Sequence, residues 1–283
     1  MKSVTLNNGV VMPLRGFGTF QITDFALCEK SVLTALKTGY RLIDTAACYG
    51  NERAVGSAVM KSGIPRNEIF LVSKVWIQDS GYEKTIKSFE KTLENLQTDY
   101  LDLYLIHMPF GDYHGSWRAM EELYRKGKIK ALGVCNFLSD RLEDLILTHD
   151  IVPAVNQIEL HPLCGQKRLL QTMKEHSVKP MAWAPFAEGK NDIFKNATLL
   201  EIGNRFGKSA AQAILKWLEQ KEIVAIPKSV HQNRIIENFD TEDFTLTNED
   251  MKRIDDMDLC DSLILDIHST DEVKRLHGIK FKQ

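Results

Sequence analysis

Arg41-Leu42-Ile43-Asp44-Thr45-Ala46-Ala47-Cys48-Tyr49-Gly50-Asn51-Glu52 is a short apolar run that ends on an acid and turns through a phenol. The next two apolar runs end the same way, FLVS (residues 70–73) on Lys74 and LDLYLI (residues 101–106) on His107. Successive strands would therefore deliver a carboxylate, a phenol, an ammonium and an imidazole to one rim. Working outward, strand-like runs recur as LRGFG, YRLID, IFLVSK, LDLYLI, IKALGV, PAVNQI, KPMAWA and EIVAIP. Helical spacing fills the intervals, as in EKSVLTALKTG, NERAVGSAVMKSG, YEKTIKSFEKTLENLQ, WRAMEELYRKGK and RLEDLILTHD. A turn dipeptide, Asn8-Gly9, set between VTL and VVM predicts an N-terminal β-hairpin.

Eight strands alternating with helices, and no composition break, predict an α/β fold in one domain spanning residues 1–283. A doubly wound sheet would need a glycine-rich phosphate loop after its first strand. Here that loop reads GFGTFQ (residues 16–21), lacks the third glycine, and is followed by no acidic ribose partner in the usual place. A closed (β/α)8 TIM barrel with functional groups at many strand ends fits better. The stretch from about Cys260 to Gln283 is the least patterned, and it is expected to be a mobile flap over the rim.

Composition narrows the function. A chain of 283 residues that is 43% hydrophobic and 26% charged is ordinary for a globular enzyme. A formal net charge of −2 provides no field for nucleic acid or anionic membrane. No apolar stretch approaches the ~20 residues of a membrane span, and no signal region opens the chain, so a cytoplasmic location is expected. The five cysteines (Cys28, Cys48, Cys135, Cys164, Cys260) are scattered, without a CxxC pair, and read as reduced thiols. No metal is expected.

Asp44, Tyr49, Lys74 and His107 suit proton delivery to a carbonyl oxygen. A lysine about 4 Å from a phenol, at an effective dielectric of about 20, favours phenolate by about 4 kcal/mol. That would bring Tyr49 from about 10 to about 7, where a general acid works best. Asp44 would keep Lys74 charged, while His107 would orient the carbonyl or act as the acid itself. Singly, each residue has a plain structural account; their joint placement is what points to chemistry.

Later strand ends supply the other half of a reduction. Asn136 and Gln157 can grip a nicotinamide carboxamide, and Trp183 can stack on its ring. After the last strand, Ser229 and Gln232 form an S-x-x-Q capping pattern that predicts a helix starting there. Lys228 and Arg234 would add cations suited to a phosphate monoester, favouring a phosphorylated dinucleotide. Phe20, Trp76, Met108, Phe110 and Tyr113 are the candidate pocket wall. Their apolar character favours a small carbonyl substrate. A Schiff-base lyase with Lys74 as nucleophile, or a regulatory subunit that binds NADPH with little turnover, would use the same barrel.

DTAACYGNE, LVSKVW, DLYLIHMP, GVCNF, NQIELHP, AWAPF and IPKSVHQNRIIEN, in that order from residue 14 to about 240, resemble the blocks of the aldo-keto reductase superfamily. The chain is most similar to short bacterial members that reduce small aldehydes, dicarbonyls and keto sugars. The resemblance implies a catalytic tetrad of Asp44, Tyr49, Lys74 and His107, with Tyr49 as proton donor. It implies NADPH bound without a Rossmann domain, with Lys228, Ser229 and Arg234 at the 2′-phosphate and Glu237 and Asn238 at the adenine. A monomer is expected. Three positions depart from the pattern around the cofactor: Cys135 replaces a usual serine, Trp183 a commoner tyrosine, and Ala184 a frequent serine. Met108 replaces a larger residue, which should open one wall of the pocket.

Overall fold

The computed structural model describes residues 2–281. Strands β1 (Ser3–Thr5) and β2 (Val11–Pro13) form the expected antiparallel hairpin, paired through Thr5 and Val11. Gly9 turns the chain at φ 85°, and the Leu6 N–H donates to the Val10 carbonyl. The sheet that follows is parallel throughout and eight-stranded. Its strands are β3 (Gly16–Gly18), β4 (Leu42–Asp44), β5 (Phe70–Val75), β6 (Leu103–Ile106), β7 (Leu132–Cys135), β8 (Val155–Glu159), β9 (Lys179–Trp183) and β10 (Val224–Ala225). Every run singled out in the sequence overlaps one of them, with β5, β7 and β8 each extending one residue past its run.

The sheet closes between its first and last strands. The Ala225 N–H donates to the Leu14 carbonyl at 3.0 Å, and the Gly18 N–H donates to the Pro227 carbonyl at 3.2 Å. Glycine is required at this seam, because a Cβ on Gly18 would lie 2.7 Å from the Ile226 carbonyl oxygen. Around the barrel run α1 (Phe25–Thr38), α2 (Glu52–Lys61), α3 (Tyr82–Leu96), α4 (Tyr113–Arg125), α5 (Ser139–Thr148), α6 (Lys167–Glu175), α7 (Ala197–Arg205), α8 (Ala210–Gln220), α9 (Gln232–Phe239) and α10 (Asn248–Asp255). In α3 the buried positions Thr85, Ser88, Phe89, Thr92 and Leu96 repeat with helical period and face the sheet. In α1 the Asp24 carboxylate accepts from the Leu27 N–H, and Gly39 at φ 123° ends the helix.

Strand alternation divides the core in two. Leu42, Phe70, Val72, Leu103, Leu105, Val155, Met181 and Val224 face the barrel interior, where Val4, Leu6, Met12 and Leu14 plug the hairpin end. Ile43, Leu71, Tyr104, Ile106, Val134, Ile158 and Ala182 face the helices instead. Because side chains alternate along a strand, whatever follows an interior residue by two also faces inward.

The C-terminal stretch carries more structure than its pattern suggested. Ser269 caps α11 (Thr270–Gly278) by accepting from the Glu272 N–H, and Leu265, Ile267, Ile279 and Phe281 pack around Trp76, Ile77, Met108 and Leu276 over the rim. Gln283, the last residue of the expected flap, lies outside the described residues. Among those residues no helix is long and apolar enough to cross a membrane.

Candidate active site

Interior parity sets the site. Asp44 follows Leu42, Lys74 follows Val72, His107 follows Leu105, Gln157 follows Val155 and Trp183 follows Met181, each two residues beyond an inward-facing apolar side chain. All five therefore converge at the C-terminal mouth of the barrel, the end at which barrels carry their chemistry. Asn136 breaks the alternation: its φ of 61° turns the chain directly after β7, a conformation that asparagine tolerates better than most residues.

At the floor, the fully buried Lys74 Nζ donates to Asp44 Oδ1 at 2.5 Å and to the Thr45 carbonyl at 2.9 Å, and it lies 3.5 Å from the Tyr49 hydroxyl. Gln157 Nε2 donates to the other Asp44 oxygen at 2.8 Å. Both carboxylate oxygens are thus satisfied, as a buried charge requires. Burial pushes the Asp44 carboxyl upward, against the opposing pull of Lys74 and Gln157. Tyr49 is carried in by the short turn Ala47–Tyr49, and Gly50 in the left-handed region closes that turn.

Two sequence expectations are corrected here. Burial first, and then the negative charge of Asp44, lifts the Tyr49 phenol well above the ordinary tyrosine range rather than towards neutrality. Lys74 sits nearer to Asp44 than to Tyr49, so much of its field is matched by the carboxylate's. His107 is held well below the usual histidine value by burial and by the Lys74 charge. It is therefore a neutral hydrogen-bonding group at neutral pH, not the acid that its ordinary value suggested.

Above the floor opens a cleft of about 510 Å³. Its lining includes Asp44, Tyr49, His107, Asn136, Gln157, Trp183 and Lys228, together with Phe20, Trp76 and Met108 from the expected wall. Phe20 lies 4.9 Å from the Tyr49 ring, and the Trp76 ring stands edge-on to His107 at 4.9 Å. The other two wall candidates are not among the lining residues, although Phe110 packs against the cluster of Trp76, Met108 and Leu276 at the rim. Tyr113 opens α4, with its hydroxyl bonded to Asp144 and its ring against Phe137, while Phe110 packs beside His277. Sequence inspection missed Cys48, Gln21, Leu265, Arg275, Leu276 and Ile279, which also line the cleft. The four C-terminal ones belong to the stretch expected as a flap over the rim, but its weak patterning pointed to no particular residue and did not reveal helix α11.

The Trp183 Nε1–H donates to Asn136 Oδ1 at 2.9 Å, and Asn136 Nδ2 donates to the His107 carbonyl at 3.1 Å. The departure from tyrosine at position 183 thus supplies an indole N–H that locks the Asn136 amide. Cys135 is fully buried beneath.

The phosphate end differs from its expected form. Helix α9 starts at Gln232 rather than at Ser229; its cap residue is His231, which makes no side-chain capping bond. Ser229 Oγ instead accepts from the His231 N–H at 3.1 Å, a local turn that competes with the capping box. Complete capping boxes occur at Ser209–Gln212 and Thr247–Asp250. Lys228 and Arg234 are exposed, and neither forms an ion pair among the described residues. Glu237 accepts from Ser209 Oγ at 2.5 Å, and Asn238 is buried beside Arg15 and Tyr40, so neither lines the cleft.

A parallel eight-stranded barrel with an acid–ammonium–phenol–imidazole set at its C-terminal mouth defines a class of barrel oxidoreductases. The chain belongs to the aldo/keto reductase family, whose profile it matches over residues 16–259. It is 48% identical over 254 residues to glyoxal reductase of Bacillus subtilis (strain 168), covering 89% of this chain and 91% of the relative. It is 37% identical over 258 residues to methylglyoxal reductase DkgA of Escherichia coli (strain K12), covering 90% and 93%. Among solved structures, an aldo-keto reductase of Bombyx mori in complex with NADP superposes with a TM-score of 0.89 at 29% identity, covering 94% of this chain and 95% of that one.

Proposed function

We propose that this protein reduces small aldehydes and ketones, dicarbonyls among them, to alcohols with NADPH. The observation that carries the reading is the Tyr49 hydroxyl, 3.5 Å from Lys74 Nζ, in the same cleft as the amides of Asn136 and Gln157 and the Trp183 ring. Support comes from the relatives named for glyoxal and methylglyoxal reduction and from the neighbour solved with NADP.

The donor set fits a nicotinamide. Asp44 takes the Gln157 amide N–H, so Gln157 Oε1 is left to accept from a carboxamide N–H. Asn136 Nδ2 spends one N–H on the His107 carbonyl and the other on the weakly accepting Met108 sulfur at 3.3 Å, and a carboxamide oxygen would replace that sulfur as the better acceptor. The Trp183 ring lines the cleft and offers a stacking face. Lys228 and Arg234, exposed and without carboxylate partners among the described residues, would receive the 2′-phosphate together with Ser229, and the adenine would lie beside Glu237 and Asn238. When bound, NADPH supplies the hydride.

This chain's own residues would handle the proton and the oxygen. Tyr49, kept protonated by its burial, donates its proton to the carbonyl oxygen as negative charge develops there. Lys74 stabilises the phenolate that results, and Asp44 holds Lys74 charged in place. His107, neutral, hydrogen-bonds the same oxygen and orients it. Phe20, Trp76 and Met108 would form the apolar wall beside the carbonyl. Lys74 is wholly buried, bonded to Asp44 and Thr45, and does not line the cleft, so it offers no amine for a Schiff base.

Tyr49→Phe tests the assignment. Reduction across a carbonyl panel should fall by roughly 10²–10⁴-fold, the usual contribution of a positioned acid. NADPH affinity, measured by fluorescence titration, should be unchanged. Full activity in this variant would remove Tyr49 as the donor.

A further inference from the structure

The reduction proposed above needs an N–H on the face of His107 that meets the carbonyl oxygen. One nitrogen of that ring has a side-chain partner, Cys48. Cys48 lies one residue before Tyr49 in the turn Ala47–Tyr49, and its Sγ sits 3.4 Å from His107 Nδ1. The ring's other nitrogen, Nε2, takes no hydrogen bond from the described residues, while His107 lines the cleft. Edge-on contacts with Tyr49 at 5.6 Å and Trp76 at 4.9 Å fix the ring plane between two aromatic neighbours.

A neutral imidazole carries one proton, so each of its nitrogens is either a donor or an acceptor. His107 is neutral because burial and Lys74 oppose its charging. Burial lifts the Cys48 thiol to about 12, so the sulfur keeps its hydrogen. A thiol is a weak donor and a weaker acceptor, whereas a bare imidazole nitrogen accepts well. S–H···Nδ1 is therefore the better pairing than Nδ1–H···S. With so little thiolate, Cys48 is not a nucleophile towards the carbonyl.

We propose that Cys48 is a positioning residue: its S–H donates to His107 Nδ1, which places the ring proton on Nε2 and makes His107 a hydrogen-bond donor to the substrate oxygen. The proposal rests on the carbonyl-reductase reading for its consequence in turnover, but the tautomer itself is independent of that reading. The second-position contact is not shared by a residue on another element; among the described residues no other side chain bonds the His107 ring.

The experiment pairs tautomer with turnover on the full chain. Isotope-labelled histidine NMR reports which ring nitrogen is protonated. The wild type should show His107 with a protonated Nε2 and a bare Nδ1, and Cys48→Ala should show a mixture of the two tautomers. In Cys48→Ala, kcat/KM for a small aldehyde should fall roughly three- to tenfold, the worth of one hydrogen bond. NADPH affinity should stay unchanged, and Cys48→Ser, which keeps a donor, should restore part of the loss. A wild-type Nδ1–H tautomer overturns the proposal, and so does an alanine variant with unchanged kcat/KM. A protein that shows the Nε2–H tautomer but reduces no carbonyl would sink the reductase reading and leave the Cys48 contact standing.

Discussion

At the residue scale, the site is governed by what surrounds each titrating group rather than by its ordinary chemistry. Asp44 and Lys74 are almost wholly buried and bonded to each other, so the lysine's charge is committed before it reaches Tyr49. A pH profile of reduction follows from the two shifts that flank neutrality. The acid must be protonated, and a phenol raised above its ordinary value of 10.0 stays protonated past that pH. The imidazole must be neutral, and one lowered below its ordinary value of 6.5 stays neutral down past that pH. Between those limits kcat/KM should be flat. Steady-state kinetics across the range would check it, and a titration step close to pH 7 would contradict both assignments. Lysine and tyrosine at adjacent strand ends were legible from residue type. The direction of the phenol's shift was not, because desolvation depends on how many atoms enclose it.

Elements position these residues by simple periodicities. Period-two alternation carries Asp44, Lys74, His107, Gln157 and Trp183 to one mouth, and each could be placed by counting two from an interior apolar residue. The start of α9 could not be placed this way. S-x-x-Q at Ser229 matched a capping box in the sequence, yet the Ser229 hydroxyl closes a tighter turn onto His231, and the helix begins at Gln232. The same signature succeeds at Ser209, where the Gln212 side chain returns to the cap N–H. The difference lies in tertiary context, since the chain leaving β10 through Pro227 is tied to Gly18 at the barrel seam. The segment from Lys228 into helix α9 still carries a testable role. Lys228→Ala combined with Arg234→Ala should narrow the NADPH-over-NADH ratio of kcat/KM by tenfold or more, given about 1.5–3 kcal/mol for each hydrogen bond to a charged group. An unchanged ratio would move the 2′-phosphate elsewhere.

At the scale of the whole molecule, the barrel joins the N-terminal hairpin, the seam at Gly18 and the folded-back C-terminal stretch around one cleft. Glu159, at the end of β8, accepts from Ser262 Oγ at 2.5 Å and from the Leu263 N–H at 2.8 Å. These bonds tie a stretch about a hundred residues away onto the rim. If residues 1–283 form a single domain, as the unbroken strand–helix alternation predicts, tryptophan fluorescence and circular dichroism should report coincident unfolding in urea. Saturating NADPH at about 100 times its dissociation constant should add about 2.7 kcal/mol to that stability. Separate transitions would divide the chain, and no shift with NADPH would remove the cofactor assignment.

The sequence by itself determined the strand–helix alternation, the barrel it closes into and the interior-facing residues at the strand ends. Those features follow from local periodicity and residue type, which any stretch of chain displays on its own. Tertiary structure alone decided the cleft wall contributed by Leu265, Arg275 and Leu276, the lock between Trp183 and Asn136, and the contact of Cys48 with His107. Each joins residues from separate elements, and the upward shift of Tyr49 likewise arises from the atoms that close around it. Proximity and desolvation of that kind exist only once the chain has folded.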